Sequence, residues 1–193
     1  KGKNRHIIYE ERLHGKLESD DMQNMAMAYA VSKEKKREVI TKMITELCVS
    51  GVNSIVKKEE RLQQIRSLFD LDGITIYSES GAQLVCRNGN YMVEVPDGRG
   101  LFEDEKYLAL FGDDDNFIES NTLKLRFQDP AAFAVMQKQE IGASLQCLSR
   151  KEGVPNVIVN FDVFNRNRKW SDEDITLLTI LGHCIGNLLN YSE

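Results

Sequence analysis

The chain has 193 residues, of which 41% are hydrophobic and 28% are charged, and its formal net charge is −5. This size fits one medium domain with an extension, or two very small domains, and it allows a core that needs no disulfide bonds. The acidic balance argues against nucleic-acid binding, which requires clustered Lys and Arg side chains.

The apolar runs do not indicate a membrane protein, and the cysteines do not indicate a metal site. No apolar run in the sequence approaches the roughly 18–20 residues of a membrane span, and the first residues lack the apolar stretch of a signal peptide. The cysteines form no Cys-x-x-Cys pair, and we expect Cys48, Cys86, Cys147 and Cys184 to be buried free thiols in a reducing compartment. We therefore expect a cytoplasmic protein without direct membrane insertion. Because the chain begins without methionine, we expect it to be a piece of a longer polypeptide.

The first strongly patterned segment predicts a long helix from about residue 20 to about residue 56. Charged residues from Lys33 to Glu38 keep its other faces in water, whereas apolar residues form one face. Their spacing is typical of a coiled-coil seam, so the helix either pairs with a copy of itself or lies alone on a sheet. The residues of this face are Ile40, Ile44, Leu47, Gly51 and Ile55.

A second helix, over residues 57–72, leads into a region of strands. Its buried stripe consists of Leu62, Ile65, Leu68 and Phe69. After this helix the apolar period shortens to that of a strand, so residues 73–80 predict a strand and residues 81–98 a hairpin. Asn88 and Gly89 suit a type I′ turn, because both central positions of that turn need a positive φ.

The middle of the chain is acidic and then returns to regular structure. Residues 97–121 predict an irregular acidic segment that holds one short helix. Residues 122–127 alternate apolar and polar side chains, which predicts a strand with one face in water. Asp129 and Pro130 are typical of a helix start, with Asp129 as the cap and Pro130 in the first helical position.

Two apolar strands precede the last helix. They are predicted over residues 142–148 and 156–164. The second strand places its valines and Phe161 on one face and Asn160 and Asp162 on the other. Together with the helices, these strands predict an α+β domain in which helices cover an antiparallel sheet.

The final helix has the clearest start signal in the chain. Ser171 is the predicted N-cap of this helix, and Asp174 lies at the capping-box position three residues later. The acids that crowd this end are explained by the positive end of the helix dipole. Its apolar residues form a heptad-like seam of Leu178, Leu181, Ile185 and Leu188.

Residues 136–189 resemble the C-terminal half of a GAF domain, in which a helix and two apolar strands lead into a long final helix. The most specific part is the junction before that helix: Arg168, Lys169, Trp170, Ser171, Asp172, Glu173 and Asp174. Residues 62–79 resemble the family's helix-to-first-strand segment, so the likeness covers about residues 37–190. The resemblance implies an antiparallel sheet with helices on its faces, an α+β fold with a long N-terminal helix. We accordingly expect an N-terminal extension and linker helix, residues 1–36, and a GAF-like sensor domain, residues 37–193.

By the same resemblance the chain is a regulatory module and not an enzyme. It would sense a small molecule within a multidomain bacterial signalling protein and pass the signal through its final helix. The output domain would be of the diguanylate cyclase, phosphodiesterase or histidine kinase type. The first and last helices would pack side by side and form a homodimer through Ile40, Ile44, Leu47, Leu178, Leu181, Ile185 and Leu188. Two alternatives stay open: a purely structural dimerisation module without a ligand and, more remotely, a thiol-dependent reductase that uses Cys86.

The resemblance places a ligand pocket between the sheet and the variable helices, loosely over residues 91–137. Apolar walls with a few polar anchors are typical of small-ligand sites, although the same aromatic residues also suit an ordinary core. The candidate ligand-binding residues are Arg87, Tyr91, Phe102, Phe117, Arg126, Phe133 and Met136.

The sequence identifies no cofactor and no metal or catalytic site. His6, His14 and His183 lie outside the expected pocket, which argues against haem. Cys86 and Cys147 fall on predicted strands without a nearby His, which argues against a bilin. The acidic runs lack the ligand spacing of a calcium loop.

Overall fold

Helices cover both faces of a single antiparallel sheet. A computed structural model describes residues 11–50, 59–87 and 96–190. The strands are β1 (Gly73–Ser78), β2 (Gly81–Arg87), β3 (Asn116–Glu119), β4 (Ile141–Lys151) and β5 (Val154–Phe164). The helices are α1 (Glu11–Ser50), α2 (Glu59–Leu68), α3 (Glu105–Leu108), α4 (Leu125–Gln128), α5 (Pro130–Lys138) and α6 (Asp172–Asn190), and 3-10 turns cover Arg99–Phe102 and Thr122–Lys124. Within these ranges the strand order is β2-β1-β5-β4-β3, which confirms the predicted α+β fold with its long N-terminal helix.

The long helices lie on one face of the sheet, here termed the helix face. Cys147 on β4 and Phe161 on β5 point to this face and pack in one core cluster with residues of α1, α2 and α6. Two glycines bring α6 close to β4. A Cβ atom at Gly182 would lie 2.6 Å from Cys147 Sγ, and one at Gly186 would overlap the Ser149 side chain. At these two positions the backbone of α6 therefore contacts the Cys147 and Ser149 side chains of β4 directly.

α1 and α6 lie side by side and run in the same direction, which confirms the predicted packing of the first and last helices. Near the start of α6, Lys36 Nζ donates to Asp174 Oδ1 at 2.6 Å, and Arg37 Nε lies 2.8 Å from Glu173 Oε1. Asp174 also accepts a hydrogen bond from Arg168 at 2.9 Å, so two cations share its carboxylate. These ion pairs fix the position of α1 along α6.

The predicted dimer seam is buried inside a single chain. Its residues belong to the core cluster of the helix face or pack against it: Ile40, Ile44, Leu47, Leu178, Leu181, Ile185 and Leu188. The exposed fraction of Leu47 and of Leu181 is 0%. A covered side chain has no surface left to bury against a second chain, so these residues stabilise the domain itself. Pairing of two chains stays a prediction.

Residues 122–127 do not form the predicted strand but a 3-10 turn followed by α4. The Asn121 side chain caps the turn by accepting a hydrogen bond from the Leu123 N–H at 3.1 Å. Leu125 is fully buried, whereas Phe127 is 87% exposed. Alternate apolar residues therefore do not share a face here, and the strand prediction is wrong because it assumed that they do.

The acidic segment is more ordered than the sequence predicts. α3 is the expected short helix, but β3 is an unexpected strand, and it pairs with β4 at the edge of the sheet. The predicted first hairpin strand is confirmed up to Arg87. Its turn at Asn88 and Gly89 lies outside the described residues, and the domain boundary at residue 36 falls within α1 and stays a prediction.

Two expectations drawn from composition can be compared with the structure. Cys86 and Cys147 are buried as expected, but Cys48 is exposed on α1 and Cys184 is only partly covered on α6. The expectation of a buried thiol is therefore wrong for Cys48 and only partly met by Cys184. Among the described helices, none combines the length and the apolar character needed to cross a membrane.

Candidate functional site

A cavity of about 280 Å³ lies on the other face of the sheet, here termed the cavity face. Strands β1, β4 and β5 form its floor, and α3, α5 and part of residues 96–104 form its walls. The walls carry mainly apolar side chains, among them Leu101, Ala132 and Met136, with Tyr77 and Tyr107 at the floor. An apolar shell with a few polar groups is the usual composition of a small-molecule site.

α5 is positioned by the start signal that the sequence predicts. Asp129 Oδ1 accepts hydrogen bonds from the N–H groups of Ala131 and Ala132 at 3.0 and 3.1 Å, and Pro130 occupies the first helical position. Ala132 and Met136 then lie one turn apart on the buried side of α5, because residues four apart share a helix face. This cap therefore places the apolar wall over the sheet.

A chain of buried hydrogen bonds crosses the cavity floor. The Tyr107 hydroxyl donates to Gln146 Oε1 at 2.6 Å, and Gln146 Nε2 donates to Ser144 Oγ at 3.0 Å. Ser144 Oγ in turn donates to Asp162 Oδ1 at 2.6 Å. Each of these three hydrogen bonds is donated in the direction of Asp162, so the Asp162 carboxylate is the final acceptor of the series. Hydrogen bonds to an ionised group are shorter and stronger than neutral ones.

Beside this chain lies a buried acceptor without a partner. Asn160 lines the cavity and pairs with Gln146 across β4 and β5 and with Thr75 across β1 and β5. Asn160 Oδ1 and Thr75 Oγ1 are both sealed from solvent, and neither has a hydrogen-bond partner within the described part of the chain. Gln146 is engaged through both ends of its amide, so Asn160 Oδ1 and Thr75 Oγ1 are the unpaired side-chain acceptors of this part of the floor.

Burial dominates the electrostatics of the floor. It raises the pKa of Asp162 to about 6, against the opposing effects of the Ser144 hydrogen bond and the Arg87 charge. Burial, reinforced by the charge of Asp162, also raises the pKa of the Tyr77 and Tyr107 hydroxyls, which therefore stay protonated. In the described ranges, no group of three or more His, Cys, Asp or Glu side chains is placed to hold a metal ion.

Of the predicted ligand-binding residues, Met136 lines the cavity. Arg87 lies at the edge of the sheet, where it donates to Gln139 Oε1 at 2.9 Å, and Gln139 is part of the lining. Phe117 and Phe102 belong to the aromatic packing of the cavity face without lining the cavity. Their assignment as ligand contacts stays a prediction.

The remaining predicted residues lie elsewhere or cannot be placed. Arg126 is exposed on α4, and Phe133 lines a separate open depression next to Thr122. Tyr91 lies outside the described residues. Cys86, the residue of the reductase alternative, is buried on the helix face, so the sheet separates it from the cavity.

The sequence carries a signal for the polar floor that the candidate ligand-binding residues do not include. Asn160 and Asp162 interrupt the apolar run of residues 157–164 and share one face of β5. Ser144 and Gln146 do the same on the neighbouring strand, at positions that pair with them. A strand buried on both faces normally carries apolar residues throughout. Polar residues at alternate positions of two adjacent buried strands therefore indicate a polar patch inside the fold.

No protein-family model and no curated protein matches the sequence, but solved structures match its fold. The phycoerythrobilin-bound GAF domain from a cyanobacterial phytochrome is 10% identical, with a TM-score of 0.61 over 84% of this chain and 97% of that one. A protein in its far-red-absorbing dark state with bound biliverdin IXa is 14% identical, with a TM-score of 0.56 over 80% and 98%. A GAF domain from Synechocystis sp. PCC6803 in its photoproduct state is 14% identical, with a TM-score of 0.51 over 73% and 94%.

These similarities correct the expectation that a bilin does not suit this chain. Two of the similar structures hold a bilin, phycoerythrobilin in one and biliverdin in the other. The lack of a His beside Cys86 or Cys147 is therefore no reason to exclude a bilin. At this level of identity the comparisons concern the fold. The chain has the fold of a GAF domain, as its sequence resemblance indicates.

Proposed function

We propose that this chain is a regulatory, ligand-sensing GAF domain that binds an N–H-donating ligand in the cavity above β1, β4 and β5. The unpartnered Asn160 Oδ1 carries this proposal. A buried acceptor without a donor destabilises a fold by about 1–3 kcal/mol. Because Asn160 lines the cavity, a turn of its side chain would bring Oδ1 to a ligand whose N–H group completes the hydrogen bond. The apolar walls then enclose the rest of the ligand.

A bilin is the first candidate ligand, because its pyrrole rings carry N–H groups along an otherwise apolar body. Two structures of similar fold hold bilins, which supports this choice. The cavity of about 280 Å³ lies near the lower end of the usual range for small-molecule sites, about 300–1,000 Å³. A bilin therefore requires α3 and the wall formed by residues 96–104 to move outward, whereas a compact nitrogen heterocycle fits the cavity as it is. Among the described lining residues none is a cysteine, so the bilin would be held without a thioether bond.

Titration of the purified protein with biliverdin and phycoerythrobilin, followed by visible absorption, tests the ligand class. A thermal-shift series with compact nitrogen heterocycles covers the smaller candidates. We expect binding to the wild type and a loss of at least about tenfold in affinity for Asn160→Leu, because one hydrogen bond of about 1.4 kcal/mol corresponds to that factor. Leu is similar in size to Asn and removes the unpaired acceptor, so the variant is expected to fold.

Gln137→Leu is the matched control. It also replaces an amide by Leu, but Gln137 is exposed on α5 and does not line the cavity. Equal affinity of Asn160→Leu and the wild type contradicts the assignment of Asn160. A wild type that binds neither the bilins nor the heterocycles contradicts ligand sensing and favours the structural module without a ligand.

The proposed signal travels from the sheet to the α1–α6 pair. Gln146 and Asn160 face the cavity, and their chain neighbours Cys147 and Phe161 face the helices. A ligand shifts such an equilibrium only by the difference between its affinities for the two states. We propose that α6 continues the signal to an output domain of the diguanylate cyclase, phosphodiesterase or histidine kinase type in a multidomain signalling protein.

A homodimer remains part of the proposal, but through residues other than the buried seam. Met22, Met25 and Tyr29 recur at helical spacing on α1, and each is at least 61% exposed. An isolated helix in water is marginal without a packing partner. Light scattering on Met25→Glu tests this surface, with Met27→Glu as a control on the opposite side of α1. We expect the first variant to be monomeric and the second to remain dimeric; a monomeric wild type contradicts the dimer.

A further inference from the structure

Two cysteines lie on the rim of the contact between α1 and α6. Cys48 directly follows Leu47 on α1, and Cys184 directly precedes Ile185 on α6. Leu47 and Ile185 are fully buried in the same core cluster, and Cys184 packs against that cluster. Cys48 is exposed, so reagents in solution reach this end of the contact.

The register of the two helices brings these cysteines to the same level. The ion pair between Lys36 and Asp174 fixes one point of contact between the parallel helices. At about 1.5 Å per residue, Cys48 lies about 18 Å further along α1 and Cys184 about 15 Å further along α6. The two distances nearly agree, so the two cysteines lie at about the same level at the far end of the contact.

The electrostatics of Cys184 agree with this proximity. Burial raises the pKa of its thiol, and the neighbouring Cys48 thiol raises it further. The other cysteines have different surroundings. Cys147 Sγ is enclosed beneath α6, 3.9 Å from the Thr179 carbonyl oxygen, and Cys86 is buried on the helix face.

We propose that Cys48 and Cys184 are a redox-active pair that a peroxide converts into an intrachain disulfide between α1 and α6. The exposed Cys48 sulfur attacks the peroxide; its O–O bond breaks, a sulfenic acid forms and one water leaves. The Cys184 sulfur then attacks the sulfenic sulfur, the S–S bond forms and a second water leaves. The two thiols lose two electrons and two protons, and hydrogen peroxide is reduced to two waters.

The disulfide adds a covalent link to helices that ion pairs already hold at the other end. Lys36 and Asp174 fix the start of α6, and the disulfide fixes the level of residue 184. A disulfide requires Cα atoms within about 7 Å, which adjacent helices permit where two side chains face each other. Oxidation would then prevent α1 and α6 from sliding or separating, so the redox state controls the helix pair independently of the cavity.

Treatment of the full chain with hydrogen peroxide, followed by alkylation and peptide mapping under non-reducing conditions, tests the proposal. We expect a mass loss of about 2 Da, a linked peptide that contains Cys48 and Cys184, and reversal by a dithiol reductant. The linked peptide should persist in Cys86→Ser and be lost in Cys48→Ser and in Cys184→Ser. Because the link closes a long loop, the melting temperature of the oxidised wild type should rise by about 5–10 °C.

Other outcomes overturn the pair. Disulfide-linked dimers through Cys48 would show that the exposed thiol meets a second chain before it meets Cys184. Sulfenic or sulfinic acid at Cys48 without a linked peptide would show that Cys184 does not resolve it. Unchanged mass and free thiol content after peroxide treatment would show that the contact is inert. Circular dichroism of each Ser variant before oxidation shows whether the variant is folded. Loss of the linked peptide in a misfolded variant is thereby recognised.

Discussion

Replacement of Asp162 by Asn tests the electrostatic account of the cavity floor. Asp162 is 1% exposed and accepts a hydrogen bond from Ser144, and burial raises its pKa to about 6 from an ordinary value of 3.8. Asn keeps an oxygen that can accept from Ser144 and removes the charge. The variant therefore separates the effect of the buried charge from that of the hydrogen bond.

The sign and size of the effect follow from the shift in pKa. Below about pH 4 the folded and unfolded chains both bind the proton, so the charge has no effect on stability. Between about pH 4 and pH 6 the folded chain keeps the proton of Asp162 while the unfolded chain loses it, so the free energy of unfolding falls as pH rises. The shift of about two pH units corresponds to about 3 kcal/mol, which is fully lost above about pH 6.

Urea unfolding of the wild type and of Asp162→Asn at several pH values between 4 and 7.5 measures this difference. We expect equal stability near pH 4 and a variant that is more stable by about 2–3 kcal/mol at pH 7.5. Asp113→Asn, at an exposed carboxylate, is the control and should show no such dependence. Two results would refute this reasoning: a lower stability of Asp162→Asn at pH 7.5, or a difference from the wild type that does not change with pH. Either result would show that the Ser144 hydrogen bond and the Arg87 charge offset the cost of burying the Asp162 charge.

Two further changes test the helix face. Gly182→Ala should destabilise the domain by about 1–3 kcal/mol in urea, because the new Cβ would lie 2.6 Å from Cys147 Sγ; Gly100→Ala, where a Cβ meets nothing within 4 Å, should be neutral. Asp174→Asn should weaken the contact of α1 with α6 by about 1–3 kcal/mol, because it removes a carboxylate shared by Lys36 and Arg168. Burial raises the pKa of Asp174, but these two cations outweigh it and hold the pKa below its usual value. The contribution of Asp174 to stability is therefore present above about pH 4 and is lost as pH falls below that value. Acid unfolding of the wild type and the variant would measure this loss.

The sequence predicts best those elements whose signals are local. The caps of α5 and α6 depend on a side chain and an N–H two or three residues away. Asp129 and Ser171 accordingly bond as expected, Ser171 Oγ accepting from the Asp174 N–H at 3.1 Å. The alternation in residues 156–164 also holds, since Phe161 faces the helices and Asn160 faces the cavity. Both signals arise within one element and need no knowledge of its partners.

Predictions that depend on packing partners fail more often. Residues 122–127 alternate like a strand, but the Asn121 side chain caps a 3-10 turn at this point. β3 has four residues, too few for a clear period, and it forms only because the edge of β4 accepts it. The heptad-like seam is real, but the helical period does not distinguish a second chain from the sheet that covers Leu181 in this one.

The acceptors at the cavity floor are not among the candidate ligand-binding residues, for a physical reason. The candidate residues are aromatic side chains, arginines and Met136, whereas the structure places acceptors at the floor: Gln146, Asn160 and, behind them, Asp162. Their common position depends on the register of β4 against β5, which pairs Gln146 with Asn160 and Ser144 with Asp162. Register is fixed by the whole sheet, so two polar residues in each of two distant segments become one site only after folding.

Only one sheet separates the cavity from the helices, so packing couples the two faces of the domain. Asn160 and Phe161 are adjacent in the chain but face the cavity and the helices respectively, so a displacement of β5 at the floor also displaces a residue beneath α6. At Gly182 and Gly186 the helix backbone contacts the Cys147 and Ser149 side chains of β4 directly, and a close-packed interior has little free volume to absorb the movement. Such a shift therefore has to move α6 against α1 or strain the ion pairs that hold them. A small ligand above the floor and a disulfide at Cys48 and Cys184 would thus act on the same helix pair from opposite sides of the sheet.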